Sequence, residues 1–528
     1  MREAHPILVG GVWIEDPHPT DTFKPINPST GHEIGDEYPV SGSGTLHRIA
    51  QHAAQVAEVL NATAPDRIAL FLDTHAGFID ERRSDIASMA HTETGLPRSP
   101  RLVETEMNRT IDQLRQAATC VRSRDWMRPR VDTQNNLRSM FEPLGAGVLV
   151  IGPNNFPLAY NGATGGDFAA AIAARNPVIA KSHPLHPGTS RMLAQCAHDA
   201  VVATDLPKGT VQFFYHCSPD DGLALIRNPN VSAVGFTGSH GAGLAMKKAA
   251  DETGTPIYLE LSSINPVFVL EHAVRDRGEA IADQIAESML QASGQQCTSP
   301  GLIALRSSEY ADQFIDQLSS RLKQASPQVM LSHDGRDGLD KAVQHNMNCG
   351  AECLIGGRKI DDDAVRYEHT LLCTNASHFL EHHQELQEEM FGVAALIILC
   401  DDNDQFALIA EKINGNLTGT IHHSDCDAPV LKALTRPLRV RVGRLIHNAV
   451  PTGVHVSPAT VHGGPFPATG HPGFTAVGLP TSIHRFCALR CYDRVSDDQL
   501  PPELRDRNPT DEMLRYVDGR WTRDDADQ

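Results

Sequence analysis

From Leu144 onward, short apolar runs alternate with longer segments whose apolar residues recur at helical spacing. That alternation marks βαβ units laid into a parallel sheet, and it restricts the middle of the chain to an α/β architecture. Residues 145–151 read as a buried strand, 153–157 as a turn, and 162–174 as a helix of small residues able to pack close to a sheet. Strands over 177–181, 211–215 and 231–236, with helices over 188–203 and 239–252, continue the series. Further strands over 257–261, 267–270 and 301–305 and helices over 274–292 and 310–324 follow. Ahead of Leu144 helices dominate, over 45–60, 64–94 and 102–121. The polar, charged stretch 122–141 suits an exposed hairpin or arm. Past Arg485 the chain turns polar and irregular, and its last residues, RDDADQ, are expected to fray.

A chain of 528 residues exceeds what one hydrophobic core usually serves, so two or three subdomains are expected. The formal net charge of −19, with Lys and Arg scattered and no basic run, excludes phosphate-backbone binding as a leading function; no nucleic-acid partner is expected. It does not bear on small anionic ligands, because a nest of backbone N–H groups outweighs a screened surface field. The longest apolar runs, 145–152 and 393–400, fall far short of the roughly 20 residues of a membrane span. The opening MREAHPILVG lacks the basic and then long apolar regions of a secretory signal, so no membrane partner and a cytoplasmic location are expected. Eleven cysteines without regular spacing look like reduced thiols. Among 26 histidines there is no HExxH, and Cys487 and Cys491 have no second ligand pair, so no metal is expected.

Four places offer chemistry. Cys297 stands in GQQCTSPG between a helical segment and an apolar strand, a junction where a thiol is expected to be exposed with a lowered pKa; alone it reads equally as a small buried hydrophobe. Glu260, in YLELSSINP, is an acid at the end of an apolar strand, either paired structurally or tuned as a general base. Asn155, in IGPNNFPLAY, follows the first buried strand, where open parallel sheets carry their ligands; its amide suits an oxyanion, or simply a turn. The glycines of FTGSHGAG lie between a strand and a helix, fit for a phosphate at a helix N-terminus, though such a turn is a weak signal alone.

Taken in order, EPLGAGVLVIGPNNFP, VIAKSHP, AVGFTGS, LELSSINP, GQQCTSPG and EEMFG resemble the aldehyde dehydrogenase superfamily, from about Leu8 to the C-terminal tail. The resemblance implies an α/β fold in three parts. These are a parallel-sheet cofactor domain (residues 1–121 and 142–262), an α/β catalytic domain carrying Cys297 (263–465) and a small oligomerisation arm (122–141 and 486–510), in a homodimer or homotetramer. It also implies roles: Cys297 as the nucleophile that passes through a thioester, Glu260 as the base for hydrolysis, and Asn155 with the Cys297 backbone N–H as the oxyanion hole. For the cofactor, NADP or NAD, Lys181 matches the ribose-binding lysine, Gly238 and Ser239 the pyrophosphate turn, and Glu389 with Phe391 the nicotinamide ribose clamp.

Three departures stand out. The usual ELGG is ELSS, with Ser262 and Ser263 in place of glycines; the usual FGP is FGV, with Val393; and Pro184 stands where many NAD-preferring members carry a ribose-binding glutamate. Loss of that acid removes a repulsion against a 2′-phosphate and favours NADP. KSHPLHPGTS, VPTGVHVSPATVHGGPFPAT and LRCYDRVSDDQLPPELRDRNP are similar to the branch that oxidises 2,5-dioxopentanoate, and also to an NADP-linked fatty aldehyde branch. Arg109, in a helical segment that borders the aldehyde tunnel in the superfamily, is the candidate cation for a carboxylated substrate. The rivals are a catalytically silent cofactor-binding homologue, disfavoured by the joint presence of Cys297, Glu260 and Asn155, and an acylating enzyme using coenzyme A, disfavoured by Glu260.

Overall fold

A computed structural model describes residues 4–510 and 512–526. Its first seven-stranded sheet grows outward from Gly147–Ile151, whose five residues are all buried as befits a strand covered on both faces. On one side it pairs in parallel with Val178–Lys181 and then Val211–Phe214; on the other with Val231–Thr237 and then Ile257–Glu260. The chain therefore reverses its direction of growth beside Gly147–Ile151, and the crevice outside the strand ends at such a switch point is where α/β sheets take ligands. A hairpin of Ile7–Val9 and Val12–Ile14 closes the far edge antiparallel, with Leu8 opposite Phe213, a pairing not anticipated from the helix-rich N-terminal pattern.

The second seven-stranded sheet has parallel strands in the order Thr370–Asn375, Ala394–Cys400, Leu302–Arg306, Val267–Val269, Asn416–His422 and Val442–His447, with Glu352–Ile355 antiparallel at one edge. Separate apolar clusters cover its two faces. A third, five-stranded sheet joins the hairpin Arg130–Asp132 and Leu137–Pro143 to Cys487–Asp493 and to a terminal hairpin, Arg515–Val517 and Arg520–Thr522.

Local chemistry explains several boundaries. The helix Pro187–Ala203 starts on a proline, and its first free N–H groups are met by buried Glu93, which accepts from Gly188 N at 2.7 Å and Thr189 N at 2.9 Å. Burial pushes the Glu93 carboxyl up to about 7. The helix expected over 162–174 begins only at Gly166, because Gly162 and Gly165 pass so close to the backbones of Val150 and Tyr160 that a Cβ would lie 2.9 and 2.6 Å away. The single helix expected over 64–94 is two, Pro65–Glu81 and Arg83–Thr94, broken where Arg82 leaves helical geometry at φ −101° and ψ 13°.

The tail is not irregular. Arg515 is fully buried and donates to the carbonyls of Arg505, Asp506 and Asp524, and Ala526 N donates to Asp506 O at 2.7 Å. The fraying expected of RDDADQ does not occur over residues 523–526; residues 527–528 lie outside the described residues.

Candidate active site

Parallel pairing places Ile151, Lys181, Thr237 and Glu260 at the carboxyl ends of neighbouring strands. Beyond those ends lies a cavity of about 500 Å³. Its lining brings together Asn155, Lys181, Gly238, Ser239, Glu260, Cys297, Glu389 and Phe391, every predicted site residue except Arg109. Arg109, on the helix Met107–Ser123, lines a second cavity of about 480 Å³ with Phe156, Tyr160 and, again, Cys297. Cys297 is thus common to both cavities, so a molecule in either can reach its sulfur.

Cys297 is held by its backbone. The turn before it passes through three consecutive left-handed residues, Ala292, Ser293 and Gly294. Gly294 lies so close to Gly392 that a Cβ would come within 2.2 Å of its carbonyl carbon, which joins the cysteine loop to the loop carrying Glu389 and Phe391. Asn265 then donates its side-chain amide to the carbonyls of Cys297 and Ser299, each at 2.9 Å. The Asn416 amide oxygen accepts from Ile264 N at 2.8 Å and Asn265 N at 3.1 Å, anchoring that support.

The serines that replace the usual glycines belong to the same scaffold. The Ser263 hydroxyl bonds Asn265 and Asn416 at 2.9 and 3.1 Å and accepts from Leu417 N at 3.0 Å. The Ser262 hydroxyl bonds the Glu389 carboxylate, which also accepts from Ser263 N at 3.3 Å. Burial nevertheless pushes Glu389 up to about 7, with Glu260 adding repulsion.

Cys297 is partly exposed and lines both cavities, but the expected lowered pKa is not found. Enclosure, and then the neighbouring Glu260 carboxylate, hold its thiol well above the usual range, so the resting sulfur is protonated. Glu260, 1% exposed, accepts from His462 Nε2 at 2.9 Å through Oε1, while its second oxygen has no partner among the described residues. That same His462 nitrogen is 3.4 Å from the Cys297 sulfur. Asn155 donates to the Gln295 carbonyl at 2.9 Å, which leaves the second N–H of its amide available. Its loop is braced by Glu106, which accepts from Leu158 N and Ala159 N and pairs with Arg101, itself donating to Asn155 O at 3.3 Å.

Two side chains not singled out from sequence complete the picture. Arg444 donates to Pro451 O at 2.7 Å and so positions a loop that reaches the second cavity at Gly453. His462 is one histidine among 26; its sequence signal is its place in VPTGVHVSPATVHGGPFPAT, before the pair Gly463–Gly464.

The larger cavity fits a dinucleotide. Among the described residues the Lys181 ammonium has only its neighbour's carbonyl, Ser182 O at 3.1 Å, and Ser239 starts the helix His240–Asp251 without spending its hydroxyl on a cap. Helix N–H groups and a free cation together suit anionic phosphates. Among the described residues no helix is long and apolar enough to cross a membrane.

Comparison with known proteins agrees with this geometry. Residues 13–470 match the family described as the aldehyde dehydrogenase family. The chain is 35% identical over 515 residues to alpha-ketoglutaric semialdehyde dehydrogenase 2 of Azospirillum brasilense, covering 94% of this chain and 96% of that protein. It is 34% identical over 512 residues to alpha-ketoglutaric semialdehyde dehydrogenase of Acinetobacter baylyi, covering 95% and 96%. Among solved structures, a 3,6-anhydro-L-galactose dehydrogenase in complex with NAP superposes with a TM-score of 0.80 at 19% identity, over 93% of this chain and 99% of that one. Escherichia coli lactaldehyde dehydrogenase gives 0.79 at 20%, over 93% and 98%. The α/β fold expected from the sequence is borne out.

Proposed function

Because the chain belongs to the aldehyde dehydrogenase family, whose members oxidise aldehydes to carboxylates with NAD(P), we propose that its substrate is a short aldehyde bearing a carboxylate, foremost 2,5-dioxopentanoate. The carrying observation is Arg109. It shares a cavity with Cys297, and its hydrogen-bond partners are neutral: the Tyr160 hydroxyl at 2.9 Å and the Gln113 amide at 3.4 Å. A carboxylate drawn out of water without a cation costs several kcal/mol, and Arg109 supplies one. The names of the two relatives, which act on alpha-ketoglutaric semialdehyde, support the same choice.

In this reading Cys297 is the nucleophile. Its proton passes to the adjacent Glu260 carboxylate as sulfur attacks the aldehyde carbon, and the new oxyanion is received by the free Asn155 N–H and the Cys297 backbone N–H. The bound nicotinamide supplies the oxidation, accepting hydride so that a thioester remains on Cys297. Glu260, having released its proton to solvent, takes another from water as that water attacks the thioester; the acid leaves and the thiol returns.

The cofactor is held by Lys181, Gly238, Ser239, Glu389 and Phe391, and NADP is preferred. Beside Pro184 the cavity wall carries Lys181, His183 and His216, while its two carboxylates, Glu260 and Glu389, are those tied to His462 and to Ser262 and Ser263. Burial, and then the Lys181 charge, lower His216 to about 4, so at neutral pH it meets a phosphate as an uncharged donor. The five-stranded sheet, with one edge of Cys487–Asp493 unpaired among the described residues, is the surface for a homodimer or homotetramer. Eleven free cysteines suit a reducing cytoplasm.

Steady-state comparison of 2,5-dioxopentanoate with n-octanal, each with NADP and NAD, tests the reading. The dioxo acid and NADP are each expected to lead by roughly tenfold or more in kcat/KM, and Arg109→Met to raise KM for the acid while sparing octanal. Preference for octanal in the unaltered enzyme would assign the cavity to aliphatic chains and remove Arg109 from its role.

A further inference from the structure

We propose that His462 is a further catalytic residue, a hydrogen-bond donor whose single Nε2–H serves the Glu260 carboxylate and the Cys297 thiolate in turn. The three side chains form one cluster, their ligand atoms all within 4.8 Å of one another. Only one histidine nitrogen faces both partners, at 2.9 Å from Glu260 Oε1 and 3.4 Å from the sulfur. The other, Nδ1, is buried with no partner among the described residues.

That asymmetry selects the tautomer. A proton on Nδ1 would be buried without an acceptor, and a bare Nε2 would face the carboxylate oxygen lone pair to lone pair. The proton therefore lies on Nε2, which makes that nitrogen no acceptor for the thiol proton and a good donor to whichever neighbour is anionic. With the thiol protonated, the anion is Glu260 and the N–H bonds its oxygen. When the thiol proton moves to Glu260, the carboxyl becomes neutral, and the same N–H turns to the thiolate. After the thioester forms, sulfur is no longer anionic, and the donor returns to Glu260 as it prepares to take a proton from water.

The chain has built a precise seat for this ring. His462 N donates to Thr475 Oγ1 at 3.0 Å, and its carbonyl accepts from Ala476 N at 2.9 Å. The two glycines that follow are required by close approach: a Cβ on Gly463 would lie 2.2 Å from Phe474 O, and one on Gly464 2.3 Å from Asn416 O. Leu261 N donates to Ala468 O at 2.8 Å, strapping the same segment to the end of the Glu260 strand. Around the sulfur, Glu260 and Glu389 oppose ionisation, Arg109 and Arg444 favour it, and Tyr160 is an enclosed neutral phenol. His462 Nε2 is the hydrogen-bonding group in direct reach of that sulfur among the described residues.

The proposal rests on Cys297 as nucleophile, so its test reads the thiol directly and needs no aldehyde. Iodoacetamide alkylation of Cys297, followed by peptide mass spectrometry across pH, is compared in the full-length protein, His462→Gln and His462→Phe, with NADP binding and thermal melting as checks on folding. His462→Phe is expected to move the apparent thiol pKa up by about one unit and slow alkylation near neutral pH by roughly tenfold. His462→Gln, which keeps an N–H donor, is expected to recover at least half of that shift. An unshifted profile in His462→Phe, or glutamine behaving like phenylalanine, overturns the donor role. Should His462→Phe fail to fold, His462→Leu takes its place under the same criteria: a rise of about one unit supports the role, and an unshifted profile refutes it.

Discussion

Glu260 is the residue on which both halves of the chemistry meet. Burial and then this carboxylate hold the neighbouring thiol protonated, yet the same carboxylate, within 4.8 Å of the sulfur, is a base that can take that proton. The two demands differ in time, one at attack and one at hydrolysis; a neutral carboxamide eases the first, by removing charge that holds the thiol up, but supplies no base for the second. Glu260→Gln, which preserves shape and a partner for His462, is expected to give one rapid turnover of reduced cofactor and then stall, because thioester hydrolysis lacks its base. Mass spectrometry should find acyl-enzyme on Cys297; sustained turnover with no adduct would assign the base elsewhere. Cys297, Glu260 and Asn155 are legible in the sequence because each is embedded in a string of neighbours that constrains it. Arg444 and Asn416 are not, since they enter from distant segments and act through contacts that chain order does not encode; His462 lies in the string VPTGVHVSPATVHGGPFPAT, which gives no sign of its contact with Cys297. A junction between a helix and a strand suggests an exposed thiol of lowered pKa; the thiol is partly exposed, but burial and then Glu260 raise its pKa.

At the scale of elements, the cysteine loop depends on a passage of backbone rather than on a side chain. Gly294 has φ +68°, and a Cβ there would lie 2.2 Å from Gly392 C, 2.3 Å from Gly392 O and 2.4 Å from Val393 N, all backbone atoms that cannot yield singly. Gly294→Ala must separate two loops, one carrying Cys297 and the other Glu389 and Phe391. The expected result is a fall in kcat/KM of at least tenfold together with weaker cofactor binding, and a loss of about 1–3 kcal/mol in stability from overpacking and left-handed strain. Wild-type cofactor affinity in this variant, measured by fluorescence titration, would show that the loops move independently. The strands of the first parallel sheet were readable in advance because runs such as Gly147–Ile151 are buried on both faces and bounded by turn residues. What escaped were breaks and additions set by tertiary contact: the interruption at Arg82, the late start at Gly166, and the antiparallel edge strand Ile7–Val9.

For the whole molecule, the least legible part is the C-terminal tail, whose order does not come from an apolar stripe. Its small cluster of Val131, Val517 and Ala526 is joined by the guanidinium of Arg515, fully buried and donating to three carbonyls from two separate turns of chain. A sequence reading that looks for apolar periodicity finds only polar residues there and predicts fraying, because hydrogen bonds from one arginine have no periodic signature. The same geometry makes the tail dependent on that residue. Arg515→Met keeps much of the volume but leaves the Arg505 and Asp524 carbonyls without their donor, while Asp506 O keeps Ala526 N, and each buried unsatisfied group costs about 1–3 kcal/mol. The terminal hairpin Arg515–Val517 and Arg520–Thr522 should detach from Arg130–Asp132 while both seven-stranded sheets, which share no strand with it, stay folded. Limited proteolysis is therefore expected to cut Arg515→Met beyond residue 505 under conditions that leave the wild type whole, and its thermal midpoint should fall by a few degrees. Activity per folded molecule should stay within about twofold of wild type. Resistance to cleavage equal to the wild type would show that the hairpin pairing alone holds the tail.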